Sequence, residues 1–154
     1  NTDFYGQGLT DTINITSSFT APKQVILNGS VIINGGGFTI GSIATHDALC
    51  RRLGHLAACA VLSVDYRLAP EHPFPAAIDD CLAAYRWLLE QGYADRPLAV
   101  AGDSAGGSLT LVTLMRARDL MLPMPGCAVL LSPSTDLTLS APSGLAAADP
   151  KVET

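Results

Sequence analysis

The sequence of 154 residues has little positive charge. Nine arginines and lysines stand against fourteen acidic residues, which gives a formal net charge of −5. The lysines among them, Lys23 and Lys151, lie far apart, and the basic residues form no patch of the kind that binds a phosphate backbone. Long apolar runs are also missing, since none approaches the ~20 residues of a transmembrane helix. We therefore expect neither a nucleic-acid partner nor a membrane span.

Paired cysteines are missing as well. The spacing of Cys50, Cys59, Cys81 and Cys127 matches neither a Cys-x-x-Cys metal site nor a disulfide-dense secreted scaffold. This predicts buried, reduced thiols and a cytoplasmic location. The first residues include neither a methionine nor the basic and then apolar pattern of a signal peptide, which favours a processed or partial chain.

What is present predicts a single folded α/β domain over residues 1–154. With 48% hydrophobic and 15% charged residues, the composition is that of a globular protein. Apolar runs alternate with amphipathic segments, which indicates βαβ units, a mostly parallel sheet and helices on both of its faces. The predicted strands are 31–33, 59–64, 98–101 and 127–131, and the predicted helices are 42–53, 75–91 and 106–120.

Three segments are less well determined by the pattern. Residues 1–20 carry only a weak strand-like alternation, and 134–154 form an irregular tail. Asn28-Gly29 separates two apolar runs, 25–27 and 31–33, which predicts either a hairpin turn or a bulge in one long strand. Gly54 is expected to end the first helix in the left-handed conformation.

The sharpest motif is Gly102-Asp103-Ser104-Ala105-Gly106-Gly107, between a predicted strand and a predicted helix. This is the Gly-x-Ser-x-Gly pattern of a nucleophile elbow, in which the serine lies on a tight turn. Side chains at Gly102 or Gly106 would collide with the neighbouring strand and helix. The helix N-terminus adds amide donors for a negatively charged oxygen. The alternative is a glycine-rich turn without catalytic function.

A second glycine-rich segment, Asn34-Gly35-Gly36-Gly37-Phe38, comes directly after the first predicted strand. Backbone N–H groups in such a segment can face a developing negative oxygen, as in an oxyanion hole. The alternatives are a phosphate-binding turn and a flexible loop. Three consecutive glycines do not fit the Gly-x-Gly-x-x-Gly pattern of dinucleotide sites.

Four motifs in order resemble the bacterial hormone-sensitive-lipase-like esterases. They are Asn34-Gly-Gly-Gly-Phe, the segment from Leu62-Ser-Val-Asp-Tyr-Arg to His72-Pro-Phe-Pro-Ala-Ala, Ala101-Gly-Asp-Ser-Ala-Gly-Gly, and Leu131-Ser-Pro with Thr135-Asp-Leu-Thr. The resemblance covers about residues 35–143. It implies the α/β-hydrolase fold and the hydrolysis of short-chain carboxylic esters. It also implies that no metal or organic cofactor is needed.

The resemblance also assigns roles by position. Ser104 matches the nucleophile, and the N–H groups of Gly35, Gly36 and Ala105 match the oxyanion donors. The residues that match supporting positions are Asn34, Gly37, Gly102, Asp103 and Gly106. A further family segment that shapes the site from beneath is matched by Asp65, Tyr66, Arg67 and Glu71.

The sequence departs from the family in three ways. Asn34 stands where the family usually has histidine, and residues 1–20 show no counterpart of the cap helices that cover the acyl pocket. The family order is Ser, then Asp or Glu, then His, whereas His46, His55 and His72 all precede Ser104. We therefore expect an incomplete α/β-hydrolase fold that lacks its last strands, with Ser104 weakly active or inactive in this chain alone.

These departures affect the expected partners and function. The strand at Cys127–Leu131 is expected to leave an apolar sheet edge, through which the chain self-associates or binds a polypeptide that carries the remaining half. The alternative to an esterase is a non-catalytic module that keeps the pocket for a small ligand. The plant gibberellin receptors, which are similar to this family, work in that way.

Overall fold

The computed structural model describes residues 4–5, 12–15, 30–34, 37–39, 43–57, 59–94 and 97–137. The strands are β1 (Phe4–Tyr5), β2 (Thr12–Ile15), β3 (Ser30–Asn34), β4 (Ala60–Val64), β5 (Leu98–Asp103) and β6 (Cys127–Leu131). The helices are α1 (Ile43–Ala57), α2 (Ala76–Leu88), which continues as a π-helical turn over Leu89–Tyr93, and α3 (Ala105–Asp119). The alternation of strands and helices predicted over 31–131 is confirmed.

The strands form a single sheet in the order β1-β2-β4-β3-β5-β6. Every neighbouring pair is parallel except β1 with β2, so the prediction of a mostly parallel sheet is confirmed. Residues 25–27 lie outside the described part of the chain. The hairpin or bulge predicted at Asn28-Gly29 therefore stays a prediction, and among the described residues β3 pairs with β4 on one edge and with β5 on the other.

Helices cover both faces of the sheet. Successive strand residues point to opposite faces. On one face Leu62 and Val100 pack into a large core with Tyr85 of α2 and Leu109 of α3. On the other face, Cys50 of α1 packs with Val61 of β4, next to the partly buried Ala101 of β5. β4 is buried throughout, as its uninterrupted apolar sequence predicted.

The two glycines near helix ends behave differently. Gly54 was expected to end α1, but the helix continues to Ala57, and the buried Gly54 lies inside it. Its carbonyl accepts a hydrogen bond from the Cys59 N–H at 3.1 Å. Gly92, in contrast, adopts a φ of 84° at the end of the α2 region, because this left-handed conformation is open to glycine without strain.

The cysteines are free thiols, and the expectation that all are buried is wrong for one of them. Cys50, Cys59 and Cys81 are buried, whereas Cys127 is exposed. The reason is that Cys127 begins β6, which within the described residues pairs only with β5 and whose side chains are mostly exposed. In the part of the chain that the structure describes, no helix has the length and apolar character to cross a membrane.

Candidate active site at the end of strand β5

Ser104 lies in the turn between β5 and α3. Its φ of 50° and ψ of −118° lie in a region that residues other than glycine rarely adopt, and such a backbone costs about 1–3 kcal/mol unless its surroundings hold it. Its side chain is exposed at the carboxyl end of the sheet. The strand-to-helix turn predicted from the glycine pattern is therefore present.

Backbone hydrogen bonds hold this turn from the β6 side. The Ser104 N–H donates to the Leu131 carbonyl at 2.9 Å. The Ser104 carbonyl accepts from the N–H groups of Gly107 at 3.1 Å and of Ser134 at 3.2 Å. The Ser108 hydroxyl also donates to the Ser134 carbonyl. The segment that leaves β6 thus encloses the turn, and the motif pattern alone does not indicate this contact.

The glycines beside Ser104 permit a close approach between β5 and α3. A Cβ atom on Gly102 would lie 2.2 Å from the Gly106 carbonyl oxygen, and one on Gly107 would lie 2.8 Å from the Pro133 Cβ. Both distances are shorter than real Cβ contacts. The collision expected for a side chain at Gly102 is therefore present, with Gly106 as its partner.

The glycine-rich segment after β3 starts at the same edge of the sheet as the elbow. Asn34, the last residue of β3, is in register with Gly102 of β5. Gly35 and Gly36 lie outside the described residues, so their role as oxyanion donors stays a prediction. Gly37 has a φ of 96°, and its carbonyl accepts a hydrogen bond from the buried Tyr66 hydroxyl at 2.6 Å.

Ala105 is the first residue of α3. Amides in the first turn of a helix have no acceptor within the helix, and the helix dipole adds a partial positive charge there. This position suits the Ala105 N–H to contact a negatively charged oxygen next to Ser104.

The segment after β4 is anchored by an ion pair. The Arg67 guanidinium contacts both carboxylate oxygens of Asp80, and its Nη2 lies 2.8 Å from Oδ1. The Asp80 carboxylate also accepts from the Arg67 backbone N–H at 2.8 Å. Burial raises the pKa of the nearby Asp65 carboxyl. These contacts fix the path of residues 65–75 above the start of α2.

An apolar cavity of about 390 Å³ lies between residues 65–75, α2 and α3. Its lining includes Phe38, the last residue of the glycine-rich segment, and Leu109, which lies on the helix that Ser104 precedes. The exposed residues His72, Phe74 and Leu137 also line it. The cavity can take up a small apolar group near the elbow.

The histidines take three different positions. His46 Nε2 lies 3.3 Å from Asp103 Oδ1, directly before Ser104 in the chain. His72 lines the cavity, and His55 is exposed at the end of α1. Among the hydrogen bonds of the described residues, none joins a histidine ring to the Ser104 hydroxyl. The contact between His46 and Asp103 links residues far apart in the chain, and no local motif predicted it.

Residues 30–153 match the family described as the alpha/beta hydrolase fold, and the chain belongs to this family. Its hormone-sensitive-lipase-like character is confirmed by a crystal structure of a hormone-sensitive lipase from a metagenome library. That protein is 48% identical, with a TM-score of 0.69 over 74% of this chain and 40% of the other.

Curated relatives support the same family. The esterase LipI of Mycobacterium tuberculosis is 48% identical over 128 residues, which cover 80% of this chain and 40% of that protein. An ethyl acetate hydrolase of Pseudomonas putida is 44% identical over 116 residues, 72% of this chain and 36% of its own. The chain thus spans about two fifths of the length of the relatives that it matches.

Proposed function

We propose that this chain forms the nucleophile-bearing part of a carboxylic ester hydrolase, with Ser104 as the nucleophile. The observation that carries the proposal is the backbone of Ser104. It combines a positive φ, an exposed side chain at the carboxyl end of β5, and the N-terminus of α3 directly behind it. The names of the relatives, which include an esterase and an ethyl acetate hydrolase, support the same chemistry.

In this reaction the Ser104 Oγ attacks the ester carbonyl carbon and loses its proton to a general base. The carbonyl oxygen becomes negatively charged in the tetrahedral intermediate, where the N–H groups of Gly35, Gly36 and Ala105 donate to it. Collapse of the intermediate releases the alcohol, which takes up the proton, and leaves an acyl group on Ser104. Water then attacks the acyl carbon, releases the carboxylic acid and restores the Ser104 hydroxyl.

We also propose that these 154 residues by themselves hydrolyse esters slowly. A serine hydroxyl is a weak nucleophile without a hydrogen-bonded base. His46, the histidine that reaches the residue before the nucleophile, contacts Asp103 rather than the Ser104 hydroxyl among the described residues. In serine proteases that lose a triad member, roughly 10³–10⁴-fold catalysis over water remains.

Hydrolysis of p-nitrophenyl acetate by the purified chain tests both statements. Ser104→Ala should hydrolyse the ester no faster than buffer without protein does. Ser132→Ala is the matched control, because Ser132 is also exposed, comes directly after β6, and has a φ of 46°. We expect Ser132→Ala to retain the original rate. Equal rates in the original chain and in Ser104→Ala would contradict Ser104 as the nucleophile of the measured reaction.

A non-catalytic binding module is the second candidate, and the apolar cavity favours it. The cavity needs no base and would hold a small apolar ligand whether or not Ser104 reacts. Ligand-detected NMR measures the binding of p-nitrophenyl butyrate to Ser104→Ala. Saturable binding to this variant, together with no hydrolysis by the original chain, would support this function. Leu109→Trp, which fills the cavity, should then abolish the binding.

We propose further that the exposed edge of β6 pairs with another polypeptide. Val129 and Leu131 are about half exposed on this strand, which among the described residues pairs only with β5, and an apolar edge strand is a template for further pairing. Sedimentation should show self-association that Val129→Lys lowers. Met121→Lys, at a position that is 91% exposed and lies outside β6, should leave it unchanged. A monomer at all concentrations would contradict self-association through β6.

A further inference from the structure

The contact between His46 and Asp103 joins α1 to the residue before the nucleophile. His46 Nε2 lies 3.3 Å from Asp103 Oδ1, and the His46 side chain is 18% exposed. The other ring nitrogen, Nδ1, lies 2.9 Å from the Thr45 hydroxyl oxygen. When the Thr45 hydroxyl donates to Nδ1, the proton of the ring is on Nε2, the atom that faces the Asp103 carboxylate.

This contact lies on the α1 side of the sheet, whereas the backbone hydrogen bonds of Ser104 among the described residues are made elsewhere. Side chains alternate between the two faces along β5, so Asp103 lies on the same face as Ala101, which packs near Cys50 of α1. The backbone bonds that hold Ser104 come instead from Leu131 and Ser134, on the β6 side, and from its own helix. A turn with an unfavourable φ keeps its conformation only when its neighbours restrain it. His46 supplies such a restraint from α1.

The contact also affects the charge near the reacting atoms. Asp103 is adjacent to Ser104, and an unpaired carboxylate there would oppose the negative charge that develops on the substrate oxygen. Because His46 Nε2 lies 3.3 Å from Asp103 Oδ1, the carboxylate lies against α1, where an N–H on the ring partly compensates its charge. The same interaction therefore holds the backbone and improves the electrostatics of the proposed reaction.

From these observations we infer that His46 is a positioning residue for Ser104, acting through Asp103. The inference rests on the proposed ester hydrolysis for its catalytic effect, but its structural part does not. It predicts that the loss of Nε2 loosens the Ser104 turn selectively. A residue that merely stabilised the fold would loosen all parts of the sheet together.

The test compares three variants on α1. His46→Leu removes the donor, and His46→Gln keeps an N–H donor on a side chain of similar reach. His55→Leu is the matched control, because His55 is an exposed histidine of the same helix. Two quantities are measured in each: kcat and KM with p-nitrophenyl acetate, and amide hydrogen exchange by NMR at Ser104 and at Gly126.

Ser104 and Gly126 form an internal pair for the exchange measurement. The Ser104 N–H donates to Leu131 where β5 and β6 end, and the Gly126 N–H donates to Leu98 at 2.8 Å where they begin. We expect His46→Leu to accelerate exchange at Ser104 about tenfold and to lower kcat about tenfold with little change in KM. His46→Gln should restore most of both, and His55→Leu should change neither.

Different outcomes separate this inference from the proposed function. Equal acceleration at Ser104 and Gly126, or no acceleration at either, would overturn the inference. If the original chain shows no turnover that depends on Ser104, the proposed function fails for this chain, and the exchange data alone decide whether His46 positions Ser104. Should His46→Leu fail to fold, Asp103→Ala, which removes the acceptor, is compared with His46→Gln in the same exchange measurement.

Discussion

Strands β5 and β6 are adjacent, parallel and similarly apolar, yet their environments differ. β5 lies between β3 and β6, its alternate residues Leu98, Val100 and Gly102 are buried, and it ends next to Ser104. β6 pairs only with β5 among the described residues, and Val129 on it is 46% exposed. Apolar sequence therefore indicates a strand that can be buried, whereas its neighbours in the sheet decide whether it is.

The two strands also lead into different structures. Directly after each strand stands a serine with a positive φ, Ser104 after β5 and Ser132 after β6. After β5, glycines allow α3 to begin at once, so that the helix N-terminus lies behind Ser104. After β6, Pro133 and Ser134 instead contact the elbow of β5. A serine with a positive φ is thus the candidate nucleophile after β5, whereas after β6 it precedes the residues that contact the elbow.

The largest expected effect is a difference in reactivity between Cys127, which begins β6, and the buried cysteines of α1 and of the segment before β4. Burial raises the pKa of the Cys50 and Cys59 thiols, whereas Cys127 on β6 is exposed. Because the thiolate is the reactive form, Cys127 should react with Ellman's reagent at least about a thousandfold faster than the buried thiols. Stopped-flow absorbance should show one fast thiol, which Cys127→Ser removes. Two fast thiols would contradict this difference in burial.

A pair of glycine substitutions compares the packing at the two strands. Gly102→Ala places a Cβ 2.2 Å from the Gly106 carbonyl oxygen, whereas Gly126→Ala, just before β6, meets nothing closer than the Leu98 oxygen at 3.6 Å. We expect Gly102→Ala to lower the free energy of unfolding by about 3 kcal/mol or more. Gly126→Ala should change it by less than about 1 kcal/mol. Urea denaturation measures both, and similar losses in the two variants would refute the difference.

The smallest expected effect is the pH dependence of the core beside β5. Burial raises the pKa of Tyr85 to about 12, and its hydroxyl donates to the Pro123 carbonyl at 2.6 Å. An unfolded tyrosine has a pKa of about 10, so the unfolded chain loses this proton first. The protonated Tyr85 hydroxyl therefore contributes to the free energy of unfolding in full below about pH 10, and this contribution is lost as the pH rises through about 12.

Tyr85→Phe is the variant that isolates this contribution. It keeps the ring but removes the titrating hydroxyl, so its free energy of unfolding should fall less steeply between about pH 10 and 12. Chemical denaturation at a series of alkaline pH values measures the slope. Identical slopes in Tyr85→Phe and the original chain would show that Tyr85 does not titrate differently in the two states.

Much of the fold and part of the site could be predicted from local patterns. The apolar run at 127–131 and the glycine pattern around Ser104 indicated the elements that the structure contains, because strand and turn preferences are local. The end of α1 was predicted too early at Gly54, because a glycine is a local signal that does not by itself stop a helix, and α1 continues to Ala57. The contact of His46 with Asp103 could not be predicted, because it joins residues that only the sheet brings together.

The sequence alone determined that Ser104 lies between a strand and a helix, that glycines flank it, and that the domain alternates strands with helices. These properties depend on the conformational freedom of individual residues and on apolar spacing, both of which can be read along the chain. Only the tertiary structure decided that Ser134 supports the elbow and that His46 faces Asp103. Each of these depends on the order of the strands, which brings distant residues into contact through the packing of the whole sheet.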